Sequence, residues 1–342
     1  MTKNRWTVFL PVLGLCLAML NAAGCRQTAL PAGRSGFALD TAVSVTLHAL
    51  AEGASSPESL LDGCFAELRR YERLFSAEQE GSDVDLLNRS DGRTVSLSSE
   101  TIDLLKTGLY YGELTDGALD ITIRPVSRLW DFHGAPSLPD PQALTAAAAL
   151  VDYRSLQVEG NTARLDRQGA AVDLGGIAKG YIADRLVAYL TQNGVESALI
   201  DLGGNIAAVG SHGGADWKIG VRDPADESAL AAVIPVQNAS VVTSGTYERG
   251  FVLDGVRYHH LLDPKTGRPV QNGLASVTIV SPLSVDGDAL STACFVLGEE
   301  KALALIESLP GIEALFIRDS GVLTATSGLH YTVPTAQGSH SS

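Results

Sequence analysis

The chain has 342 residues, with 25 Lys and Arg against 39 Asp and Glu, so its formal net charge is −14 and its pI is near 4.9. Apolar residues make up 45% of the sequence, and Gly and Pro occur at ordinary frequencies, which excludes collagen-like, low-complexity and wholly disordered chains. Because neutralising phosphates requires a surface rich in Lys and Arg, the acidic balance predicts no nucleic-acid partner. An anionic ligand would need a local patch of positive charge.

Residues 1–24 have the pattern of a bacterial lipoprotein signal peptide. Two basic residues precede an apolar run over residues 6–20, which is shorter than the roughly 20 residues that a membrane-spanning helix needs. The run ends in Ala-Ala-Gly-Cys, similar to a lipobox, so we expect cleavage before Cys25 and lipidation of that residue. A consensus lipobox has Leu where this chain has Ala22, so ordinary signal-peptidase cleavage is the alternative. Both outcomes predict export, and lipidation predicts a membrane anchor on the periplasmic or extracytoplasmic side.

The rest of the chain is predicted to form a tether at 25–35, one domain at 36–334 and a loose polar tail at 335–342. Two further thiols of the mature chain, Cys64 and Cys294, lie in apolar helical patterns. We expect them to be buried as small hydrophobic residues, with a disulfide between them as the alternative in an oxidising compartment.

Apolar periodicity predicts an α+β domain. Alternation over 37–50 predicts a strand, and Ser56-Pro57-Glu58 signals a helix whose apolar face continues to Phe75. Further helices are predicted from Ser98 or Ser99 to near Gly117, from Asp140 to Leu150, at about 177–193 and at about 289–308. Short strands dominate after Ser155, with turns at 159–161 and 254–255. No repeat or linker divides the chain, so we predict a single domain with a mixed or antiparallel sheet core and flanking helices.

Residues 173–180 are predicted to form an anion site. A strand ends there, two glycines allow close backbone approach, and a helix begins with Lys179 in its first turn. Free N–H groups at the helix start and one ammonium group could bind phosphate. The alternative is a plain glycine turn with a solvated lysine.

Asp288 and Thr292 are predicted to share one face at the start of a helix, because they stand four residues apart. A carboxylate, a hydroxyl and a backbone carbonyl suit a hard cation such as Mg²⁺. The alternative is an N-cap aspartate followed by a threonine that bonds to its own helix.

A third segment, 259–267, places two histidines and Asp263 just before a Pro-x-x-Gly turn. Histidine suits proton transfer near neutral pH, and Asp263 could orient it or hold the turn. If the two histidines alternate along a strand, His259 is expected to face solvent. Residues 115–122 add backbone groups and one carboxylate that could reach a ligand. The sequence has no Walker A, Gly-x-Gly-x-x-Gly, His-Glu-x-x-His, Cys-x-x-Cys or Gly-x-Ser-x-Gly motif.

Together and in this order, these segments resemble the FAD:protein FMN transferases, the ApbE family of exported flavin-transfer lipoproteins. The resemblance covers residues 37–326 and includes an early Ser-rich motif and Trp130-Asp131-Phe132. Its strongest motifs are Asp-Leu-Gly-Gly-Ile-Ala-Lys-Gly at 173–180, Asp-Leu-Gly-Gly-Asn at 201–205, His-Leu-Leu-Asp-Pro-Lys-Thr-Gly at 260–267 and Asp-Ala-Leu-Ser-Thr at 288–292.

The resemblance implies a fold related to the T-fold and a reaction that uses FAD and Mg²⁺. FMN would be transferred to a Thr or Ser hydroxyl of an acceptor subunit in a membrane or exported redox complex, with release of AMP. The implied proton acceptor is His260, assisted by Asp288 and Lys179, and the implied Mg²⁺ ligands are Gly176 through its carbonyl, Asp288 and Thr292. The implied FAD contacts are Leu39, Ala118, Leu119, Asp120, Asp173, Lys179 and Leu262.

Two departures from the family pattern bear on flavin binding. The first motif commonly begins Met-Gly-Thr in the family, but here residues 39–41 are Leu-Asp-Thr, and Glu78 stands where the family often has an aromatic residue. Loss of a stacking ring could weaken FAD binding and favour water as the acceptor. The alternatives are therefore an FAD pyrophosphatase that gives FMN and AMP, and a flavin-binding lipoprotein without catalysis.

Overall fold

The computed structural model describes residues 30–334, so the predictions for the signal peptide, Cys25 and the tail at 335–342 lie outside the described residues. Within that range the chain forms eight α-helices and fifteen strands. The helices are α1 (Pro57–Phe75), α2 (Asp83–Asn88), α3 (Ser99–Leu114), α4 (Arg124–Ser127), α5 (Pro141–Ala148), α6 (Ala178–Gln192), α7 (Ser284–Leu297) and α8 (Glu299–Glu307). The strands are β1 (Ala32–Ala38), β2 (Thr41–Leu50), β3 (Val95–Ser96), β4 (Leu156–Glu159), β5 (Thr162–Leu165), β6 (Val195–Leu202), β7 (Asn205–Val209), β8 (Trp217–Arg222), β9 (Leu230–Val236), β10 (Ala239–Gly245), β11 (Gly250–Leu253), β12 (Val256–His259), β13 (Leu274–Ser281), β14 (Glu313–Arg318) and β15 (Leu323–Ala325).

An eight-stranded antiparallel sheet organises the domain, in the order β1-β2-β6-β7-β10-β13-β14-β15. Side chains of β14 alternate between two cores, because Ala314 and Phe316 pack on the helix side while Leu315 and Ile317 pack on the other. Helices α6 and α7 contact the strands on the first face, and the β8–β9 hairpin covers the second. The predicted α+β class with an antiparallel sheet is confirmed.

The first predicted strand was wrong in one respect, because residues 37–50 contain a hairpin turn. Leu39 and Asp40 both adopt left-handed backbone angles, with φ of 53° and 59°, and connect β1 to β2 in a two-residue turn. Such turns usually contain Gly or Asn, so Leu-Asp gives little sequence signal. β1 begins at Ala32, so the sheet starts inside the segment predicted as a tether.

The helix predicted at 289–308 is in fact two helices, α7 and α8, separated by Gly298 at φ 80°. α7 begins at Ser284, which places Asp288 in its second turn and not at the helix start. The start is capped by Asp184 of α6, whose carboxylate accepts hydrogen bonds from the backbone N–H groups of Ser284 at 2.7 Å and Val285 at 3.0 Å. A cap from so distant a residue leaves no local signal in the sequence.

Other predictions of local structure are confirmed. Ser56 caps α1 by accepting a hydrogen bond from the N–H of Ser59 at 3.3 Å. Cys64 and Cys294 are both buried and free, so the alternative of a disulfide between them is wrong. Among residues 30–334, no helix combines the length and apolar character needed to cross a membrane.

Candidate active site

The N-terminus of α6 meets α7 at Asp288. The Asp288 carboxylate accepts a hydrogen bond from the Gly180 N–H at 2.8 Å and lies 3.5 Å from Lys179 Nζ, and its side chain is only 4% exposed. A Cβ at position 180 would lie 2.4 Å from the Ser284 carbonyl oxygen, so only glycine permits this approach of the two helices. The predicted helix start with Lys179 in its first turn is confirmed, and it lies against Asp288.

Gly176 lies close to Thr292, which is on the same helix, α7, as Asp288. A Cβ built on Gly176 would be 3.7 Å from Thr292 Oγ1, and that oxygen lies 3.5 Å from Ser244 Oγ. In the described part of the chain, no group of three or more His, Cys, Asp or Glu side chains could hold a metal. One carboxylate with neutral hydroxyl and peptide oxygens is nevertheless a donor set that suits Mg²⁺, which commonly takes one or two carboxylates and completes its shell with water and phosphate. The residues present therefore fit the predicted ion.

His260 follows β12 and is held by the backbone of Arg249. Its N–H donates to the Arg249 carbonyl oxygen at 3.2 Å, and its ring Nδ1 lies 3.4 Å from the same oxygen. Because a carbonyl oxygen only accepts, we assign the ring proton to Nδ1, which leaves a lone pair on Nε2. Burial, together with the positive charges of Arg249 and Lys179, lowers the pKa of His260 to about 3. The imidazole is therefore neutral at physiological pH.

Glu248 is a site residue that sequence reasoning missed. Its Oε2 lies 3.9 Å from His260 Nε2. Burial raises the pKa of Glu248 to about 7, with Asp288 contributing in the same direction and Lys179 opposing it. The only sequence signal is a carboxylate in the Tyr-Glu-Arg run at 247–249, which becomes informative once the fold brings it to His260.

His259 does not face solvent, contrary to the sequence-based expectation. Its side chain is 2% exposed, with Nε2 at 2.9 Å from the Val270 carbonyl oxygen and its ring edge-on to Phe295. The alternation with His260 holds, but both faces of this segment are covered. His259 is therefore a core residue, and desolvation lowers its pKa.

The loop at 118–120 lies against the glycine segment, since a Cβ on Gly176 would be 3.3 Å from Leu119 Cδ1. Asp120 is buried, and its carboxylate accepts hydrogen bonds from the Thr122 N–H at 2.8 Å, the Thr122 hydroxyl at 2.6 Å and the Tyr153 N–H at 2.8 Å. Burial nevertheless raises the pKa of Asp120. Its oxygens hold the loop in shape, which leaves the backbone of 118–120 as the part that could contact FAD.

Asp173 opens the glycine segment and is held by two hydrogen bonds, from the Gly175 N–H at 3.0 Å and the Ser127 hydroxyl at 2.8 Å. Arg124 lies 3.8 Å from the same carboxylate and 2.5 Å from Glu78. Glu78, which stands where the family often has an aromatic residue, is therefore linked to Asp173 through Arg124.

Leu39 and Leu262 approach the site from two other loops. The Leu39 N–H donates to Glu72 at 2.9 Å, and the next residue, Asp40, pairs with Arg249, with 3.4 Å between its Oδ2 and Nη1. Leu262 is buried in a small cluster with Trp130, just after His260. The structure thus brings the predicted catalytic and metal residues together, while the predicted FAD contacts line neighbouring loops and stay predictions.

Residues 39–316 match the model of the ApbE family. The FAD:protein FMN transferase of Treponema pallidum is 36% identical over 93% of this chain and 93% of its own length, and one from Klebsiella pneumoniae is 40% identical over 77% and 83%. The crystal structure of the ApbE protein from Thermotoga maritima superposes on this chain with a TM-score of 0.79 at 32% identity, over 86% of this chain and 97% of that one.

With this fold and these relatives, the protein is an enzyme of the transferase class. The chain belongs to the ApbE family.

Proposed function

We propose that this enzyme transfers FMN from FAD to a Thr or Ser hydroxyl of an exported or membrane redox protein and releases AMP, in a reaction that depends on Mg²⁺. The observation that carries the proposal is the convergence of Lys179, Asp288 and Thr292 at the start of α6. The names of the relatives, FAD:protein FMN transferases, support the choice of donor and group.

The proposed chemistry forms one phosphorus–oxygen bond and breaks another. The acceptor hydroxyl oxygen bonds to the phosphorus on the FMN side, and the bond to the AMP oxygen breaks with its electron pair leaving on AMP. The hydroxyl proton passes to Nε2 of His260. The Lys179 ammonium group would stabilise negative charge on the phosphates, and Mg²⁺ held by Gly176, Asp288 and Thr292 would supply further charge neutralisation.

FAD would lie across the loops that surround these residues. The proposed contacts are Leu39, Ala118, Leu119, Asp120, Asp173, Lys179 and Leu262. Support comes from the contact of Leu119 with Gly176 and from the link between the β1–β2 turn and Arg249.

The test is mass spectrometry of a Thr-containing redox subunit incubated with the protein and FAD, with and without Mg²⁺. We expect the acceptor to gain the mass of FMN only when Mg²⁺ is present, with AMP formed in equal amount. Formation of FMN and AMP without acceptor labelling would instead support the FAD pyrophosphatase, and FAD binding without AMP release would support a non-catalytic carrier.

We also propose that the protein is an exported lipoprotein anchored through Cys25. The support is the sequence pattern of residues 1–25. The wild type should fractionate with membranes, and Cys25→Ser should not be processed by the lipoprotein route. A soluble wild type with a mature N-terminus away from residue 25 would contradict the anchor.

A further inference from the structure

A carboxylate faces the nitrogen that would receive the acceptor's proton. Glu248 Oε2 lies 3.9 Å from His260 Nε2, and the two side chains are 31% and 27% exposed. This separation is too long for a hydrogen bond but suits an ion pair. With the ring proton on Nδ1, the attraction becomes strong only when Nε2 is also protonated.

The other charges around His260 oppose its protonation. Arg249 and Lys179 both lower the pKa of the ring, in addition to its burial. A proton acceptor in such surroundings needs a negative charge close to the nitrogen that becomes protonated. Glu248, when ionised, provides one on the side of Nε2.

The position of Glu248 is fixed by its neighbours in the chain. Arg249 donates from Nη2 to the Asp40 carbonyl oxygen at 3.1 Å, and its own carbonyl oxygen accepts from the His260 N–H at 3.2 Å. A Cβ on Gly250 would lie 2.4 Å from the Tyr258 carbonyl oxygen, so β11 and β12 approach closely directly after Glu248. The carboxylate is thus attached to backbone that also holds His260.

We propose that Glu248 is a positioning residue for the transfer reaction, which acts through His260 by stabilising the imidazolium formed when that ring takes the acceptor's proton at Nε2. This inference rests on the proposed function. In the proposed step the hydroxyl proton moves to Nε2 while the oxygen bonds to phosphorus and AMP leaves with the electron pair. The ring gains one positive charge opposite the negative charge of Glu248, so no further reactant is required.

A double-mutant cycle tests whether Glu248 acts through His260. Glu248→Gln should lower the single-turnover transfer rate by about 10- to 100-fold, with FAD affinity within about twofold of wild type. In the His260→Ala background the same substitution should change the rate by less than about twofold, since its partner is gone. Glu248→Asp should recover part of the rate because it keeps the charge.

The matched control is Glu67→Gln on α1, since Glu67 has a similarly exposed side chain, 32%, and pairs with a different basic residue, Arg70. It should leave the rate unchanged. Thermal unfolding checks that each variant is folded, and Glu248→Asp replaces Glu248→Gln in the cycle if the latter does not fold.

The proposal is overturned if Glu248→Gln lowers the rate by the same factor with and without His260, or if FAD affinity falls in step with the rate. AMP release is measured in the same reactions. A wild type that releases AMP without labelling the acceptor would contradict the proposed function. In that case water is the acceptor, and the same double-mutant cycle, measured as the rate of AMP release, still decides the role of Glu248.

Discussion

Asp288 supplies the one charged oxygen donor among the three proposed Mg²⁺ ligands. Asp288→Ala should therefore lower transfer by at least about 100-fold, as expected when a principal electrostatic stabiliser is lost. FAD should still bind measurably, because the proposed contacts on other loops remain. Transfer assays over a Mg²⁺ series, with FAD binding followed by fluorescence, check this. Near-normal transfer by folded Asp288→Ala would remove the residue from the mechanism.

Adjacent histidines should respond differently to substitution by alanine. His260→Ala should cut transfer by about 10²- to 10⁴-fold with FAD affinity changed only a few-fold, because it removes the proposed general base. If affinity and rate fall together, His260 shapes the pocket. If neither changes, Asp263 is the next candidate for the base.

His259→Ala should act on stability and not on chemistry. Its ring is buried against Phe295, so truncation leaves a cavity and should cost about 1–3 kcal/mol of unfolding free energy. Urea unfolding measures this cost, and transfer at a temperature where the variant stays folded should be close to wild type. A large loss of transfer without loss of stability would contradict this assignment.

The sequence predicted those helices whose ends and buried faces are determined by residues within the helix itself. α1 was predicted because Ser56, Pro57 and the apolar face all lie within its own sequence. The start of α7 was missed because its cap comes from Asp184 and because it is buried nearly all round, which removes helical periodicity. The residues of the candidate site were predicted to the same extent. Sequence motifs indicated Asp288 and His260, whereas Glu248 becomes a candidate only because the folded chain brings its carboxylate near His260.

The contact between α6 and α7 depends on the absence of a side chain at position 180. Gly180→Ala would drive a methyl group against the Ser284 carbonyl, so the helices must move apart. We expect a loss of about 1–3 kcal/mol in unfolding free energy. Transfer should fall as well, because the Gly180 N–H holds Asp288. Urea unfolding and transfer assays check both effects, and unchanged stability would mean that the helices have room to adjust.

For the molecule as a whole, Asp184 should make stability depend on pH. Burial raises its pKa from 3.8 to about 6, so between these values the folded chain holds the proton more tightly than the unfolded chain. The contribution of Asp184 to the unfolding free energy is fully present below pH 3.8 and is lost as the pH rises through about 6. Asp184→Asn cannot ionise. The unfolding free energy of the wild type should therefore fall relative to that of the variant between pH 4 and pH 7, as measured by urea titration. A constant difference would contradict this.

The order of strands in the large sheet has a consequence for biogenesis. β2 pairs with β6, and β10 lies between β7 and β13, so neighbouring strands come from distant parts of the chain. Closing such long loops before the contacts form makes folding slow in general. Lys179 on α6 and Asp288 on α7 are separated by 109 positions in the sequence and lie together only once the chain has brought the two helices into contact. A chain that has not finished folding would therefore have no assembled site, and flavin capture should begin only after the last third of the polypeptide, which carries Asp288, has folded.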